Sequence, residues 1–495
     1  MHQILINGAW VDARTEASRE IKNPATLKPL GVVPDCGAED VARAVAAARA
    51  AQHGWWKVPG VEKAKLLREV GARIRAREHA LATLMSHETG KPLCEATDCI
   101  DWVAACFEYY GEVARSSYGN SVPPVAPHQL NFTIKEPYGV VAAIVPFNFP
   151  LLLMAWKVAP AIAAGNTVVC KPPHQNPLSN LMLAEAYELL PPGVVNVLTG
   201  DGATGSALIE HPDVDLIAFT GSTAVGRRIA AAAGAQLKKV NLELGSIDPF
   251  IVFRDADLDV AVPGVAWARL LNCGQVCTSS KRIYVERPIA AEFVERLHEF
   301  IAYLEVGDPI KPDTDLGPLI SLEASRRVED QVARALKDGA TLKLGGRAFR
   351  PSGLPGHFFQ PTLLTDVRHG SVATREEIFG PVLAVTPVAD ADEAIRLAND
   401  SEYGLGASVY TKDLATALRA MESIKAGTFW INDPLTDNDA APFGGMRHSG
   451  IGRELGPEGL DAFREPKHVH LDYLMERKPW FFPYRDRKPP GATHG

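Results

Sequence analysis

Apolar positions in the first quarter of the chain recur with the spacing of amphipathic helices. Three alanine-rich stretches follow this spacing, at residues 39–52, 61–87 and 92–116. Pro59-Gly60 and Gly90-Lys91-Pro92 interrupt them, and such short runs of proline and glycine break helices. The pattern therefore predicts a group of packed helices before residue 118.

Between residues 140 and 243 the pattern changes to short apolar runs separated by amphipathic stretches. Unbroken apolar runs of this length are typical of strands buried on both faces, and the stretches between them predict helices. The segment therefore predicts a parallel, doubly wound α/β sheet, in which ligands bind at the carboxyl ends of the strands. The expected strands are 140–145, 167–170, 194–198, 216–219 and 240–243, and the expected helices are 152–164, 178–190, 203–210 and 224–233.

A second alternation of strands and helices follows Pro249 and runs to about residue 440. It includes apolar runs such as 250–253 and 282–285, and it predicts a separate α/β domain. The cleft between the two domains is the expected place for a ligand. Residues 119–138 differ from both domains because they are rich in proline and alternate in polarity. They predict a strand that is exposed or paired with a partner.

Length, charge and cysteine content narrow the classes of function. The 495 residues predict two or three domains with a large buried interior. A formal charge of −8 without a long basic run argues against nucleic acid or a membrane as a partner and favours a small molecule. The seven scattered cysteines form no CxxC pair, so neither a disulfide framework nor a metal site is expected. Without a signal-like N-terminus or a membrane-length apolar run, the chain is expected to be cytoplasmic.

Three residues stand where the pattern favours chemistry. Cys277 lies in a small polar segment after an apolar, helix-like stretch, where a substrate can reach a thiol. Glu243 ends an apolar strand, and burial there would raise its pKa and suit it to general-base work. Asn148 lies in a proline-flanked turn, where its amide could point at a developing oxyanion. Each also has a structural explanation: a buried cysteine, a carboxylate turned outward or paired with lysine, and an ordinary turn former.

Further motifs accompany these three residues over nearly the whole chain. They are Ala155-Trp156-Lys157, Gly165 to Pro172, Phe219 to Gly226, Glu376 to Pro381, Gly427 to Asn432, and Pro442 through Glu454. In this order, the set resembles the aldehyde dehydrogenase superfamily. The resemblance implies an NAD(P)-dependent enzyme that oxidises an aldehyde to a carboxylic acid. The expected fold class is α/β, with a Rossmann-like cofactor domain over 1–118 and 139–248, a second α/β catalytic domain over 249–446, and a small β oligomerisation extension over 119–138 and 466–495.

The resemblance assigns catalytic roles to four residues. Cys277 is the nucleophile, Glu243 is the general base, and the Asn148 amide holds the oxyanion together with the Cys277 backbone N–H. Glu454 matches a position implicated in proton relay, although an exposed carboxylate at a helix start explains it equally well. The expected chemistry is a thiohemiacetal that loses hydride to the nicotinamide, followed by a thioester that a water activated by Glu243 hydrolyses.

The resemblance also implies a coenzyme site. The segment from Gly221 to Gly226 supports it, because N–H groups at a helix start can hold a pyrophosphate. His174 stands where many relatives have a glutamate that repels a 2′-phosphate, yet no arginine-rich segment marks a phosphate site nearby. NAD is therefore the expected coenzyme, and NADP stays open. The residues expected to bind it are Pro146, Phe147, Trp156, Lys171, His174, Gly221, Ser222, Gly226, Leu244, Glu377 and Phe379.

The physiological aldehyde is not implied, because relatives with one catalytic core accept different aldehydes. An acidic entrance beside Trp102 favours a cationic aldehyde, such as an aminoaldehyde or a betaine-like aldehyde, through charge and cation–π attraction. A neutral aliphatic or aromatic aldehyde is the alternative, and a carboxylate-bearing semialdehyde is expected least because no arginine is among the lining positions. The expected lining is Asp101, Trp102, Phe149, Leu153, Leu271, Thr278, Leu435 and Phe443.

Assembly also follows from the resemblance, which implies a homo-oligomer, a dimer or tetramer, joined through the 119–138 strand and a C-terminal strand at about 467–474. The aromatic segment 478–484 is expected to pack on a neighbouring subunit. Two other functions stay open: a coenzyme A-acylating or glyceraldehyde-phosphate-type relative, and a catalytically silent homologue. The Glu243 base argues against the acylating route, and its presence with Cys277 and Asn148 argues against a silent protein.

Overall fold

The computed structural model describes residues 2–116, 119–351, 353–482 and 484. Its largest sheet has eight strands within these residues, and the five central ones are parallel. The chain places successive strands first on one side of the 140–144 strand and then on the other, which confirms the predicted doubly wound arrangement. In spatial order the strands are β19 (Gly450–Ile451), β11 (Lys239–Glu243), β10 (Leu216–Thr220), β7 (Val140–Ile144), β8 (Thr167–Lys171), β9 (Val195–Val197), β1 (Ile4–Ile6) and β2 (Ala9–Val11).

A second sheet forms from the later part of the chain, where the second alternation predicted one. All neighbouring strands in it are parallel except the antiparallel edge strand at 341–344. In spatial order its strands are β14 (Thr341–Leu344), β15 (Thr362–Thr365), β16 (Val382–Val388), β13 (Arg282–Glu286), β12 (Pro249–Val252), β17 (Gly406–Tyr410) and β18 (Thr428–Ile431). Every residue of β12 and β13 is buried, as unbroken apolar runs in parallel sheets require.

Helices cover both faces of these sheets. In the described residues they are α1 (Ala38–Lys57), α2 (Gly60–Arg75), α3 (Glu78–Thr89), α4 (Leu93–Val113), α5 (Pro150–Ala164), α6 (Leu178–Ala184), α7 (Gly202–Glu210), α8 (Thr223–Ala235), α9 (Leu258–Leu270), α10 (Arg287–Tyr303), α11 (Leu322–Lys337), α12 (Val372–Arg375), α13 (Ala391–Asn399), α14 (Leu414–Ser423) and α15 (Gly456–Asp461). None of these helices is long and apolar enough to cross a bilayer.

The structure corrects two predicted helices and adds one hairpin. The helix predicted over 61–87 is two helices, because Arg77 leaves helical geometry without a proline or glycine to signal the break. The helix predicted over 178–190 ends at Ala184 and continues as a 3₁₀ helix, Glu185–Leu189. The sequence pattern also missed the hairpin of β3 (Ser18–Lys22) and β4 (Pro29–Pro34).

Helix α5 fixes the turn that follows β7. Each residue from Pro150 to Ala163 is buried, so the helix is apolar all round rather than amphipathic. Its fully buried leucine side chains each contribute about 1.5–3 kcal/mol of hydrophobic stabilisation. Pro150 stands at its first position, where the missing N–H costs no helical hydrogen bond. The turn before it, which carries Asn148, is therefore anchored to the core.

Among the described residues, 119–136, 465–482 and 484 form a compact unit of their own. It contains a three-stranded sheet of β20 (Arg464–Asp472), β6 (Gln129–Pro137) and β5 (Ser121–Val122). Within it, Lys467 and Glu136 form an ion pair of 2.5 Å, and Asp472 pairs with His128 and Lys478. The aromatic side chains beyond the sheet are exposed; they are Trp480, Phe481, Phe482 and Tyr484.

Candidate active site

The carboxyl ends of β7, β10 and β11 open into a cavity of about 290 Å³, the strand-end cavity. It lies between β7 and β10, where the strand order of the first sheet reverses and where ligands bind in doubly wound folds. It brings together several residues predicted for the coenzyme, namely Pro146, Phe147, Gly221, Ser222, Leu244, Glu377 and Phe379, and it is also lined by Asn148 and Cys277.

A second cavity of about 470 Å³, the aromatic cavity, also reaches Cys277. Most of the predicted substrate residues line it: Trp102, Phe149, Leu153, Leu271, Thr278, Leu435 and Phe443. The remaining lining residues are Cys94, Glu95, Asp98, Cys99, Leu152, Trp156, Trp267, Val276, Thr436 and Asp437. Because Cys277 lines both cavities, its thiol lies where a ligand in one cavity can reach a ligand in the other.

Asp101 lies elsewhere, and the structure corrects its predicted place at the entrance. Its carboxylate is 2.7 Å from the Arg75 guanidinium, and its side chain is 55% exposed. Successive helical residues point about 100° apart, so Asp101 cannot face the cavity that Trp102 faces. Asp98 is four residues before Trp102, shares its face of α4 and lines the cavity instead.

Trp156 is the second correction, because it was predicted beside the coenzyme and lies in the aromatic cavity. Its ring centroid is 5.0 Å from that of Phe443. The next residue, Lys157, points elsewhere and forms a buried ion pair with Glu454. On a helix that is buried on all sides, neighbouring residues point into different parts of the interior. An all-apolar sequence does not show which part each residue faces.

An irregular segment after α9 presents Cys277. Asn272 and Cys273 both adopt positive φ angles, 50° and 55°, which are unusual for residues other than glycine. The Asn272 backbone N–H donates to the Glu95 carboxylate at 2.9 Å, and its side-chain amide donates to the Asn148 carbonyl at 3.0 Å. These bonds tie the segment that leads to Cys277 to the turn that carries Asn148.

The electrostatic surroundings of Cys277 favour the protonated thiol. Burial raises the pKa of Cys277 to about 12, and the negative charges of Asp248, Glu377 and Glu243 add to this effect. Lys281 acts in the opposite direction and lowers the pKa. Sequence reasoning did not single out Lys281, although a lysine four residues after a candidate nucleophile was a signal that could have been used.

Glu243 is the last residue of β11 and is 3% exposed. Neither of its carboxylate oxygens has a hydrogen-bond partner among the described residues. Burial raises the pKa of Glu243 well above its usual range, and the charge of Glu454 raises it further, while Lys157 and Arg453 oppose the shift. A buried carboxyl with an elevated pKa is suited to accept a proton near neutral pH.

Glu454 is fully buried, so the interpretation of it as an exposed helix-start carboxylate is wrong. Its carboxylate is 2.5 Å from the Lys157 ammonium, which also donates to the Thr220 hydroxyl at 2.6 Å. Paired backbone hydrogen bonds of 2.7 Å between Glu454 and Phe443 hold it in place. Together with Glu243, these residues form a buried cluster of two carboxyls and one ammonium.

The side chain of Asn148 is free to bind a ligand. It is 3% exposed and lines the strand-end cavity; its amide oxygen accepts no hydrogen bond from the described residues, and its amide nitrogen, the donor that an oxyanion needs, donates none to them. The turn around it is held from outside, since Asn176 donates to the Phe147 carbonyl at 2.7 Å. A rigid turn with an unused amide fits the predicted oxyanion role.

The start of α8 carries donors that fit the phosphates of a dinucleotide. Ser222 caps the helix, and the N–H groups of its first turn face the carboxyl end of β10. Gly226 does not line the cavity; a Cβ there would lie 2.3 Å from the Leu244 side chain. Because Gly226 has no side chain, α8 can pack closely against Leu244, the residue that follows β11.

Glu377 and Phe379 stand across the strand-end cavity from this helix start. The Ser246 backbone N–H donates to the Glu377 carboxylate at 3.2 Å, and the Lys281 ammonium lies 3.3 Å from the same carboxylate. The rings of Phe379 and Phe147 meet edge to face at 5.9 Å. This pair of rings forms an apolar surface next to the Glu377 carboxylate, which fits a ligand that combines a flat ring with hydroxyl groups.

A third cavity of about 540 Å³ lies beside α8 and is lined by Lys171 and His174. Burial lowers the pKa of Lys171 to about 8, and burial together with Arg19 and Lys171 lowers the pKa of His174. Arg228, on the second turn of α8, also lines this cavity. The sequence near Lys171 and His174 is not arginine-rich, but folding brings this one arginine in from α8.

The doubly wound sheet and the cavity at its switch point define a dinucleotide-dependent enzyme. The chain belongs to the aldehyde dehydrogenase family, whose sequence profile matches residues 10–469. It is accordingly an NAD(P)-dependent oxidoreductase that converts an aldehyde to a carboxylic acid, as predicted.

Individual relatives differ in the aldehyde that their names state. A chloroplastic aminoaldehyde dehydrogenase of Arabidopsis thaliana is 41% identical, over 97% of each chain. An NADP(+) succinate-semialdehyde dehydrogenase of Escherichia coli is 40% identical, over 94% of this chain and 97% of its own. A betaine aldehyde dehydrogenase of Staphylococcus aureus, solved in complex with NAD+, superposes with a TM-score of 0.95 at 35% identity, covering 98% and 97% of the two chains.

Proposed function

We propose that the protein oxidises a cationic aldehyde, an aminoaldehyde or a quaternary-ammonium aldehyde, with Cys277 as the nucleophile. The observation that supports this substrate class is the lining of the aromatic cavity. It combines five aromatic side chains with three carboxyl groups, and no lysine or arginine is among the described lining residues. Aromatic faces and carboxylates both attract a cation, whereas a carboxylate-bearing aldehyde would meet like charge.

The protonation equilibria of the three carboxyl groups also support a cationic substrate. Burial raises the pKa of Glu95 and of Asp437 to about 7 and also raises the pKa of Asp98. Carboxyl groups with such pKa values are partly neutral near neutral pH, and a cation beside them favours the ionised form because it stabilises the negative charge. Lys91 lies behind the wall, with its ammonium 3.3 Å from the centre of the Phe149 ring, and does not line the cavity.

The first half of the reaction uses Cys277 and Asn148. The thiolate attacks the aldehyde carbon, and the Asn148 amide with the Cys277 backbone N–H stabilises the oxyanion of the thiohemiacetal. The bound coenzyme supplies the acceptor for the hydride that leaves this intermediate. What remains on the protein is a thioester on Cys277.

The second half uses the buried carboxyl cluster. Glu243 takes a proton from the water that attacks the thioester, and its raised pKa makes it a competent base. The Glu454 carboxylate, which pairs with Lys157 behind it, accepts the proton in turn. This base argues against the coenzyme A-acylating alternative, because transfer of the acyl group to a thiol does not need an activated water.

The first sheet and its helices bind the coenzyme, and the second sheet belongs to the catalytic domain. The α8 start holds the pyrophosphate, Lys171 binds the adenine ribose, and Glu377 binds the nicotinamide ribose beside Phe379. Among the residues that the structure describes, Lys171 has no carboxylate partner within ion-pair distance; its ammonium donates to the Pro172 carbonyl. Together with His174 and Arg228, it supports acceptance of NADP+ as well as NAD+.

Replacing Arg228 by alanine is expected to weaken NADP+ binding about tenfold and to leave NAD+ binding nearly unchanged. Arg228 is exposed, lines the Lys171 cavity and has no ion-pair partner among the described residues, so its charge is available to a 2′-phosphate. Isothermal titration with each coenzyme measures the effect. Arg227→Ala is the matched control, because Arg227 pairs with Glu402 instead. Equal losses for both coenzymes would contradict the proposed site.

Replacing Asp98 by asparagine is expected to raise KM for a cationic aldehyde about tenfold and to change KM little for a neutral aldehyde of the same length. The substitution keeps the shape of the side chain and removes one of the charges that attract the substrate. Asp101→Asn is the control, since that carboxylate lies outside the cavity against Arg75. A flat ratio of kcat/KM between cationic and neutral aldehydes in the unmodified protein would sink the substrate proposal.

The protein is further proposed to act in the cytoplasm as a homo-oligomer, a dimer or tetramer. The three-stranded unit supports this, because it exposes apolar residues that a second copy of the chain could cover; they include Val122, Leu130, Ile134, Leu471 and Tyr473. The mildly acidic charge of −8 supports a small-molecule partner rather than nucleic acid or membrane.

A further inference from the structure

Lys281 is a buried lysine with a defined set of partners. Its side chain is 2% exposed, and its ammonium donates to the carbonyls of Val276 and Cys277 at 2.9 and 2.5 Å. The same ammonium lies 3.3 Å from the Glu377 carboxylate. It therefore lies between the segment that carries the candidate nucleophile and a carboxylate at the rim of the coenzyme cavity.

The charged groups that face Cys277 come from several elements. Glu243 ends β11, Asp248 precedes β12, and Glu377 follows α12, and each of these negative charges disfavours the thiolate. The acids of the aromatic cavity face it as well, namely Glu95, Asp98 and Asp437. Lys281 acts against them by lowering the pKa of Cys277, and Lys91 acts on Glu95 and Asp98. The effect of Lys281 is partly cancelled because Glu377 pairs with it.

We propose that Lys281 is a positioning residue that couples coenzyme binding to the reactivity of Cys277, with Glu377 as the movable partner. In the structure, Glu377 pairs with Lys281 and partly neutralises it. When Glu377 turns to the ribose hydroxyls, the ammonium is left beside the Cys277 carbonyl without a carboxylate, and it then stabilises the thiolate. This inference rests on the proposed function, since it takes Cys277 as the nucleophile and Glu377 as a coenzyme ligand.

The partial exposure of Glu377 supports such a movement. Its side chain is 25% exposed and lines the strand-end cavity, whereas Lys281 is enclosed and cannot follow it. Its carboxylate accepts a hydrogen bond from the Ser246 backbone N–H, a bond that water or a ribose hydroxyl can replace at modest cost. If the Glu377 carboxylate moves while the Lys281 ammonium stays in place, the electrostatic potential at the Cys277 thiol changes when the coenzyme binds.

The test measures the rate at which iodoacetamide alkylates Cys277 as a function of pH, with and without saturating NAD+. Quantifying the Cys277 peptide by mass spectrometry isolates this thiol, and the exposed Cys94 in the same sample is an internal reference. In the unmodified protein, NAD+ is expected to move the profile to lower pH by about one pKa unit, a tenfold change in thiolate fraction. The position of the profile, rather than the absolute rate, excludes shielding by the coenzyme.

Three substitutions separate the contributions. Lys281→Gln is expected to move the profile about one unit to higher pH and to remove the response to NAD+, and Lys281→Arg is expected to restore both. Glu377→Gln is expected to give, without NAD+, the low-pH profile that the unmodified protein shows only with NAD+. If Lys281→Gln does not fold, Glu377→Gln carries the test alone, because that side chain is at the rim of the cavity.

An unchanged profile in Lys281→Gln or Glu377→Gln, with circular dichroism and melting temperature preserved, would overturn the proposal. Its failure is distinguishable from failure of the proposed function. In the former case Cys277→Ala still abolishes aldehyde oxidation while Lys281 leaves the thiol unaffected. In the latter case Cys277→Ala retains turnover.

Discussion

Replacing Cys277 by alanine is expected to reduce aldehyde oxidation by roughly 10⁴-fold or more, while NAD+ binding and the melting temperature change little. The thiol forms the covalent bond on which the whole reaction depends, and no other described nucleophile lines both cavities. Formation of NADH at 340 nm across a panel of cationic and neutral aldehydes measures the loss. Removing one sulfur atom from a half-buried position leaves no large cavity, so the fold is expected to persist.

Two neighbouring thiols provide matched controls for this experiment. Cys94 and Cys99 line the same aromatic cavity but not the strand-end cavity. Cys94→Ala and Cys99→Ala are therefore expected to keep turnover within a fewfold of the unmodified protein. Turnover that survives in Cys277→Ala, or disappears equally in all three variants, would refute the assignment of Cys277 as nucleophile.

Replacing Glu243 by glutamine is expected to slow steady-state turnover by roughly 10²–10³-fold while the first turnover persists. The variant can still form the thiohemiacetal and release hydride, but it has no base to activate the hydrolytic water. Rapid-mixing absorbance at 340 nm should therefore show a burst of one NADH per site followed by a slow phase. The double variant Cys277→Ala/Glu243→Gln is the control and should show no burst.

The pH dependence of the unmodified enzyme follows from the same carboxyl group. Burial and the charge of Glu454 raise the pKa of Glu243, and the base works only when deprotonated. Deacylation should therefore be lost as pH falls through this raised pKa, well above the range of an ordinary glutamate. Glu243→Gln should lack this limb of the profile. Persistence of the limb in the variant would assign it to another group.

Much of the fold was predictable because buried parallel strands and amphipathic helices differ in how their apolar residues are spaced along the sequence. The five parallel strands of the first sheet, the 250–253 and 282–285 strands of the second sheet, and the positions of Cys277, Glu243 and Asn148 at strand ends and loops followed from these spacings together with the family resemblance. What the pattern missed depends on tertiary contacts. Strand β19 has only two residues, and α2 and α3 are separated without a proline or glycine.

The candidate site was less predictable where a side chain's direction decides its role. Asp101 and Asp98 are both acids of α4, and only their position relative to Trp102 separates the one that lines the cavity from the one that binds Arg75. Arg228 is distant in sequence from Lys171 and His174 and reaches them through the packing of α8. The sequence around one residue does not show which distant residues will lie beside it after folding.

The most direct test of the central claim is to trap the covalent intermediate. Glu243→Gln is mixed with NAD+ and an aminoaldehyde, quenched in acid within the first turnover, digested, and analysed by mass spectrometry. An acyl group bound to the peptide that contains Cys277, with one NADH formed per adduct, is the predicted result. NADH formation with no adduct, or with the adduct on Cys94 or Cys99, would contradict the account.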